Sequence, residues 1–183
     1  MTLEQTETQA ELDRLQHPLV EALNTAGVRV SSVWDLIDAP SETYLCAIPL
    51  LAGHLALPYP AHIREGIARA LAIRASRTIW KQLLQAYLEE EDRFAMGVKW
   101  ALHLALYAAF DYSVMNDVIG LAIDRRHGVN RTLFVVALSR LRDPRAHATV
   151  QALADDPDLA SVVAVALGSK RPCRQKNAGS GPA

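Results

Sequence analysis

The chain repeats one mechanical phrase near its C-terminal end, and that repetition limits what it can fold into. In "LSRLRDPRAHATVQALADDPDLASVVAVALG", residues 138 to 168, three helix-sized apolar segments are separated by Asp-Pro at Asp143-Pro144 and at Asp156-Pro157. An aspartate before a helix accepts hydrogen bonds from amides that have no partner in the first turn. The proline after it is already set at the φ of the first helical position. Each Asp-Pro therefore restarts a helix, and a chain that restarts helices at short intervals has to pack helix on helix.

The same beat runs further upstream. Helices are expected in pairs over residues 42–56 with 61–75, 77–91 with 94–110, 112–126 with 129–142, and 145–154 with 158–168, joined by short loops. The second members, "HIREGIARALA", "MGVKWALHLAL", "RTLFVVALSRL" and "DLASVVAVALG", each carry an alanine-leucine pair, at Leu71, Leu102, Leu138 and Leu167, separated by 31, 36 and 29 residues. That spacing is near the period of helical-hairpin solenoids. An apolar residue four positions earlier, Ile67, Val98, Phe134 or Val163, completes a stripe on one helix face. A hairpin built this way needs a neighbour to cover its other side.

Composition agrees with an all-α class. Half of the 183 residues are hydrophobic but only 6% are aromatic, so alanine, leucine, isoleucine and valine carry the core. Before the repeats, Leu12, Leu15, Leu19 and Leu23 mark a long helix over about 2–26, expected to break or kink at His17-Pro18 and to end at Gly27. "SSVWDLIDAP" follows as a short helix, with Ser32 as cap, Asp35 answering it three residues on, and Pro40 closing it. Residues 1–41 are thus an N-terminal helical cap, 42–168 the repeat region, and 169–183 a disordered basic tail holding Lys170, Arg171, Arg174 and Lys176.

The order helix, Asp-Pro, helix, Asp-Pro-Asp, helix, Ala-Leu-Gly resembles the HEAT-like repeat first recognised in phycobilisome lyases. "HIREGIARALA" is similar to the second helix of that repeat. The resemblance covers about residues 42–168, is strongest over the last repeat, and thins between 77 and 127, where no Asp-Pro occurs. It implies an α-solenoid of about four hairpins. Members of that family include adaptors, chaperone-like factors, bilin lyases and DNA glycosylases, so the resemblance leaves the activity open. In such solenoids the second helices line the concave face. This makes Arg69, Trp100, His103, Tyr107 and Arg140 the candidate partner-binding residues, with Glu65, Val136 and Ser139 beside them. Trp100 and Tyr107 make the central helix apolar on both faces. Either the N-terminal arm covers them or they present a patch to a partner, and aromatic and arginine residues are enriched at interface hot spots.

No catalytic constellation is found. Six histidines, His17, His54, His62, His103, His127 and His147, lack metal-ligand spacing, and no His-Glu-x-x-His, glycine-rich phosphate loop or Gly-x-Ser-x-Gly elbow occurs. Neither a cofactor nor a metal is expected. "LEEED" at 88–92 reads as a solvated turn and "DDPD" at 155–158 as a cap. The net charge is −1, and with the tail set aside 15 basic residues face 20 acidic ones, which disfavours a nucleic-acid groove and leaves the basic tail as a site of weak contact. Cys46 and Cys173 suggest no disulfide framework, and neither a signal peptide nor a membrane-length apolar run is read, so the expected location is the cytoplasm. The expected function is a non-catalytic protein-binding module, an adaptor or assembly factor. The alternatives are an immunity-type inhibitor of a toxin or enzyme, and a HEAT-like enzyme of the bilin lyase or DNA glycosylase type. The apolar last hairpin would also suit a homodimer.

Overall fold

The structure, a computed structural model, describes residues 8–91 and 97–168. Their regular structure is all helical, with no strand among them. The basic tail expected at 169–183 and the residues 92–96 that end "LEEED" and lead into the fourth repeat helix lie outside the described residues.

The N-terminal segment begins with one unbroken helix, α1 (Gln9–Thr25), with Pro18 inside it. The break expected at His17-Pro18 is absent. Proline in a helix interior costs about 3 kcal/mol, and the next turn of α1 offsets that by burying Leu19 and Leu23 completely. Gly27, at φ +88°, ends the helix as expected. Its amide bonds Asn24 O at 3.0 Å and the Val28 amide bonds Leu23 O at 2.9 Å, the paired closure that only a left-handed residue permits. The short helix α2 (Asp35–Asp38) starts where Asp35 Oδ2 accepts from the Ser32 amide at 3.0 Å and Ser32 Oγ accepts from the Trp34 amide at 3.3 Å. The Asp35 half of the expected box forms, but Ser32 does not cap the helix: α2 is entered from Trp34 without a side-chain cap.

Residues 42–168 then carry α3 (Ile48–Leu55) with α4 (Ala61–Ala70), α5 (Trp80–Glu89) with α6 (Val98–Ala109), α7 (Met115–Ile123) with α8 (Thr132–Ser139), and α9 (Pro144–Ala152) with α10 (Ala160–Gly168). Several first helices begin later than expected because 3-10 turns such as Arg74–Ile79 and Tyr112–Val114 precede them. Each second helix packs on its own hairpin partner and on the next second helix: α4 on α6, α6 on α8, α8 on α10. The first helices form the other layer, where α3 packs on α5 and α7 on α9. Trp80 Nε1 donates to Asp117 Oδ2 at 2.8 Å and ties α5 to α7.

The alanine-leucine register holds the core. Leu71, Leu102 and Leu138 are fully buried, and Ile67, Val98, Phe134 and Val163 are buried with them. Leu167 is only half-buried, because α10 is the last helix of the described residues and no further hairpin covers it. Asp143 caps α9 by accepting from the Arg145 amide at 2.8 Å, with Pro144 in the first turn. Asp156 O accepts from the Leu159 and Ala160 amides at 3.0 and 2.8 Å, so the turn into α10 starts where the second Asp-Pro stands. No helix of the described residues is long and apolar enough to cross a membrane.

Candidate functional site

The open side of the second-helix layer is where the sequence places its contact residues. On α6 the partly exposed positions are Trp100, Leu104, Tyr107 and Ala108, which stand one above another at helical spacing. On α8 and its cap they are Leu133, Val136, Ser139 and Arg140, and on α10 Ala160, Ala164 and Val165 are exposed. Among the described residues, α5, α7 and α9 pack behind these helices and their own neighbours stand at the flanks, which leaves these positions on the more open side. Among the described residues of the N-terminal arm, α1 packs chiefly on α3 and α2 on α4.

Four of the five expected contact residues lie on that face with some exposure, and His103 does not. Its side chain is fully buried, so it is no contact residue. The helical wheel put His103 near Trp100 and Tyr107, but it lies three residues from Trp100, far enough round α6 to face the hairpin core between α5 and α8. Its ring lies 4.5 Å from that of Phe134, 6.3 Å from that of Tyr87 and 5.3 Å, edge to face, from that of Trp100. Among the described residues, neither imidazole nitrogen has a hydrogen-bond partner. Burial, with the neighbouring His127 adding to it, pushes the His103 pKa down to about 3.

The charged members of the face are tied in different ways. Arg69 Nε donates to Glu65 Oε1 at 2.9 Å one helical turn away, which neutralises the α4 end of the face. Arg140 is exposed and stands over the Tyr107 ring at 5.6 Å. No carboxylate partners it among the described residues. Behind the face, Lys99 is buried, with its ammonium donating to Tyr87 O and, at 2.7 Å, to Glu90 O, and standing 4.3 Å above the Tyr87 ring. An ammonium engaged this way is a structural clamp between α5 and α6.

Sequence reasoning missed two groups. Leu104, Ala108 and Leu133 extend the face, and their signal was available, since each follows the same helical spacing from Trp100 or Val136. The second is the charge cluster around Arg131, which is fully buried and bonds Asp156 and Asp158 across the chain. Residues so far apart carry no local pattern. Among the described residues, no group of three or more His, Cys, Asp or Glu side chains converges as it would around a metal ion. Cys46 is exposed and free.

No family model matches this chain, and no curated protein or solved structure is significantly similar to it. Chemistry and geometry are what bear on its function.

Proposed function

We propose that the chain is a short α-solenoid of HEAT-like hairpins over residues 42–168, capped by residues 1–41. In this reading it acts in the cytoplasm as a non-catalytic protein-binding module, an adaptor or assembly factor. The observation that supports the reading is the second-helix layer: among the described residues, α6, α8 and α10 expose or half-expose apolar and small side chains, with the charge at the edges. A face of that composition gains free energy by leaving water and has little to hold a small polar substrate. Trp100 and Tyr107, backed by Arg140, are the residue types on which interface energy concentrates. Stacked hairpins hold these side chains in fixed positions, so association loses little conformational entropy.

The test is affinity capture from a lysate of the source cell with nuclease added, comparing the intact chain with Trp100→Ala, Arg69→Ala and their combination, each verified as folded by circular dichroism. A single stoichiometric protein retained by the intact chain and lost with Trp100→Ala is the expected result. Retention that survives the double substitution, or that disappears with nuclease, overturns the reading.

A further inference from the structure

We infer that the edge carrying the turns between successive hairpins binds single-stranded nucleic acid, with phosphates on Arg74, Arg77, Arg142 and Arg145 and a base stacked on Tyr112. This goes beyond the proposed function and concerns a different surface, so either reading can fail without the other.

Side-chain interactions bring these turns to one edge. The Asp111 carboxyl lies below its usual range, held there first by bonds from the Ser113 hydroxyl and amide and then by Arg77 and Arg74, which sets the turn before α5 beside the turn after α6. Tyr112 Oη donates to Asp143 Oδ2 at 2.7 Å and Arg145 donates to Asn116 Oδ1 at 3.4 Å, which adds the turn before α9. The opposite edge is held as directly, by Arg64 with Glu90 and Arg131 with Asp156. Because Arg131 also bonds Asp158, α8 and α10 start together there, pack on each other, and end on the edge of Arg142.

Charge is sorted between the two edges. The acidic excess that counts against a nucleic-acid partner lies wholly in residues 1–41, with seven acids and two bases, whereas residues 42–168 hold thirteen of each. Eight of those thirteen acids, at 89–92, 124, 155, 156 and 158, end or join the two helices of a hairpin. Exposed Arg74, Arg77, Lys81, Arg140, Arg142 and Arg145 instead stand at the connections between hairpins. The acids at those connections are engaged, Asp111 by Ser113, Asp117 by Trp80, and Asp143 by Arg145 and Tyr112; Glu42, across a cleft from Arg74, is the exception among the described residues. No ion pair among the described residues holds Arg74, Arg77 or Arg142.

The remaining segments do not reverse this sorting. Residues 92–96 join α5 to α6 at the opposite edge, and 169–183, with four cations and no acid, follow Gly168 at the end of α10. Residues 1–7 precede α1, which meets Cys46 only at its far end, where Ala26 O lies 3.9 Å from Sγ, about 25 Å along the helix.

Arginines spread over three turns suit a polyanion of regular charge, since each guanidinium can grip one phosphate with two parallel bonds. The aromatic selects nucleic acid. Tyr112, 59% exposed, is the one exposed aromatic among the described residues and stands between the Arg77 and Arg145 turns. A ring tied at its hydroxyl and open to solvent takes a base by stacking, and only an unpaired strand offers that base.

Fluorescence anisotropy of the full chain with labelled strands of U and of dT, each about 20 nucleotides, and with a duplex of equal length tests this at roughly 50 and 200 mM NaCl. Expected are single-strand binding that weakens with salt and a loss of about tenfold or more when Arg74→Gln, Arg77→Gln and Arg142→Gln are combined. Tyr112→Ala should lose about threefold or more, and Arg125→Gln with Arg126→Gln, at the opposite edge, should change little. A preference for U or for dT would assign the strand to RNA or DNA, and either supports the inference. Equal losses from the two edges, or a loss only when Lys170, Arg171, Arg174 and Lys176 become Gln, would reduce the binding to net charge or to the tail and overturn it. Duplex bound as tightly as single strand with Tyr112→Ala silent, displacement by poly-glutamate of equal charge, or no binding at the lower salt would each overturn it too.

Discussion

Arg131 and Asp156, 25 residues apart in sequence, meet in a bidentate ion pair sealed from solvent: Nη1 to Oδ2 at 2.8 Å and Nη2 to Oδ1 at 2.9 Å. Arg131 also donates from Nε to Gly128 O at 2.8 Å and from Nη2 to Asp158 Oδ2 at 3.1 Å, so its guanidinium is engaged on both edges. The pair latches the turn before α8 to the turn before α10 and so fixes the last hairpin on the one preceding it. Removing Asp156 leaves the buried Arg131 guanidinium with only the half-exposed Asp158 as a carboxylate partner. Asp156→Ala should cost roughly 3–5 kcal/mol in urea unfolding, and Arg131→Met with Asp156→Leu should recover most of that. The Arg131 guanidinium holds the Asp156 carboxyl below the usual carboxylate range, so this stabilisation is present above about pH 4 and fades as pH falls through the lowered titration. An Asp156→Ala variant within 1 kcal/mol of the parent would show the latch to be dispensable.

His103 makes folding sensitive to acid over a higher range. Its buried imidazole is neutral in the folded chain, and its surroundings, Tyr87, Trp100 and Phe134 with His127 and Lys99 nearby, offer no carboxylate to receive a proton's charge. The folded pKa of about 3 lies below the unfolded 6.5. Stability contributed by neutral His103 is therefore full above 6.5 and declines as pH falls toward 3. Between pH 7 and pH 4 the loss should be roughly 2–3 kcal/mol. His103→Leu should be neutral or stabilising by about 1 kcal/mol at pH 7, since it removes an unsatisfied polar ring, and should flatten the slope. Parallel pH profiles for the two proteins would contradict this.

Gly66 is a packing glycine. A Cβ there would stand 2.7 Å from Val33 Cγ1 and 3.1 Å from Trp34 Nε1, where α2 crosses α4. Val33 is fully buried and cannot retreat. Gly66→Ala should lose about 1–3 kcal/mol despite alanine's better helix propensity. Gly53 and Gly120, in α3 and α7 with nothing within 4 Å, should gain about 0.5–1 kcal/mol from the same change. Thermal unfolding of the three variants reads the contrast, and equal effects would refute the close approach.

The hairpin register has its own test. Leu138 is fully buried between α8 and its neighbours, and Leu167 occupies the equivalent place in α10 half-buried. Leu138→Asp should destabilise by several kcal/mol, and Leu167→Asp by clearly less. A change below about 1 kcal/mol at Leu138 would place the stripe on the wrong face.

Local patterns in the sequence determined the helices and their inward faces. Asp143-Pro144 and Gly27 act through their own backbone neighbours, and the alanine-leucine stripes act through the fixed 100° turn of a helix, so each is legible without knowing what lies across the core. The same logic placed Trp100, Tyr107 and Arg140 on the open side. Pro18 departed from the local rule because burial of the next turn outweighs a lost hydrogen bond, a comparison no local window contains. Only the tertiary structure decided the rest. His103 is buried because Phe134 and Tyr87 close over it from other helices, and Arg131 finds Asp156 in the neighbouring hairpin, two helices further along the chain. The physical reason is range: caps and stripes are set by forces within one or two helical turns, whereas burial and ion pairing depend on which helix arrives opposite, and that is settled by the packing of the whole chain.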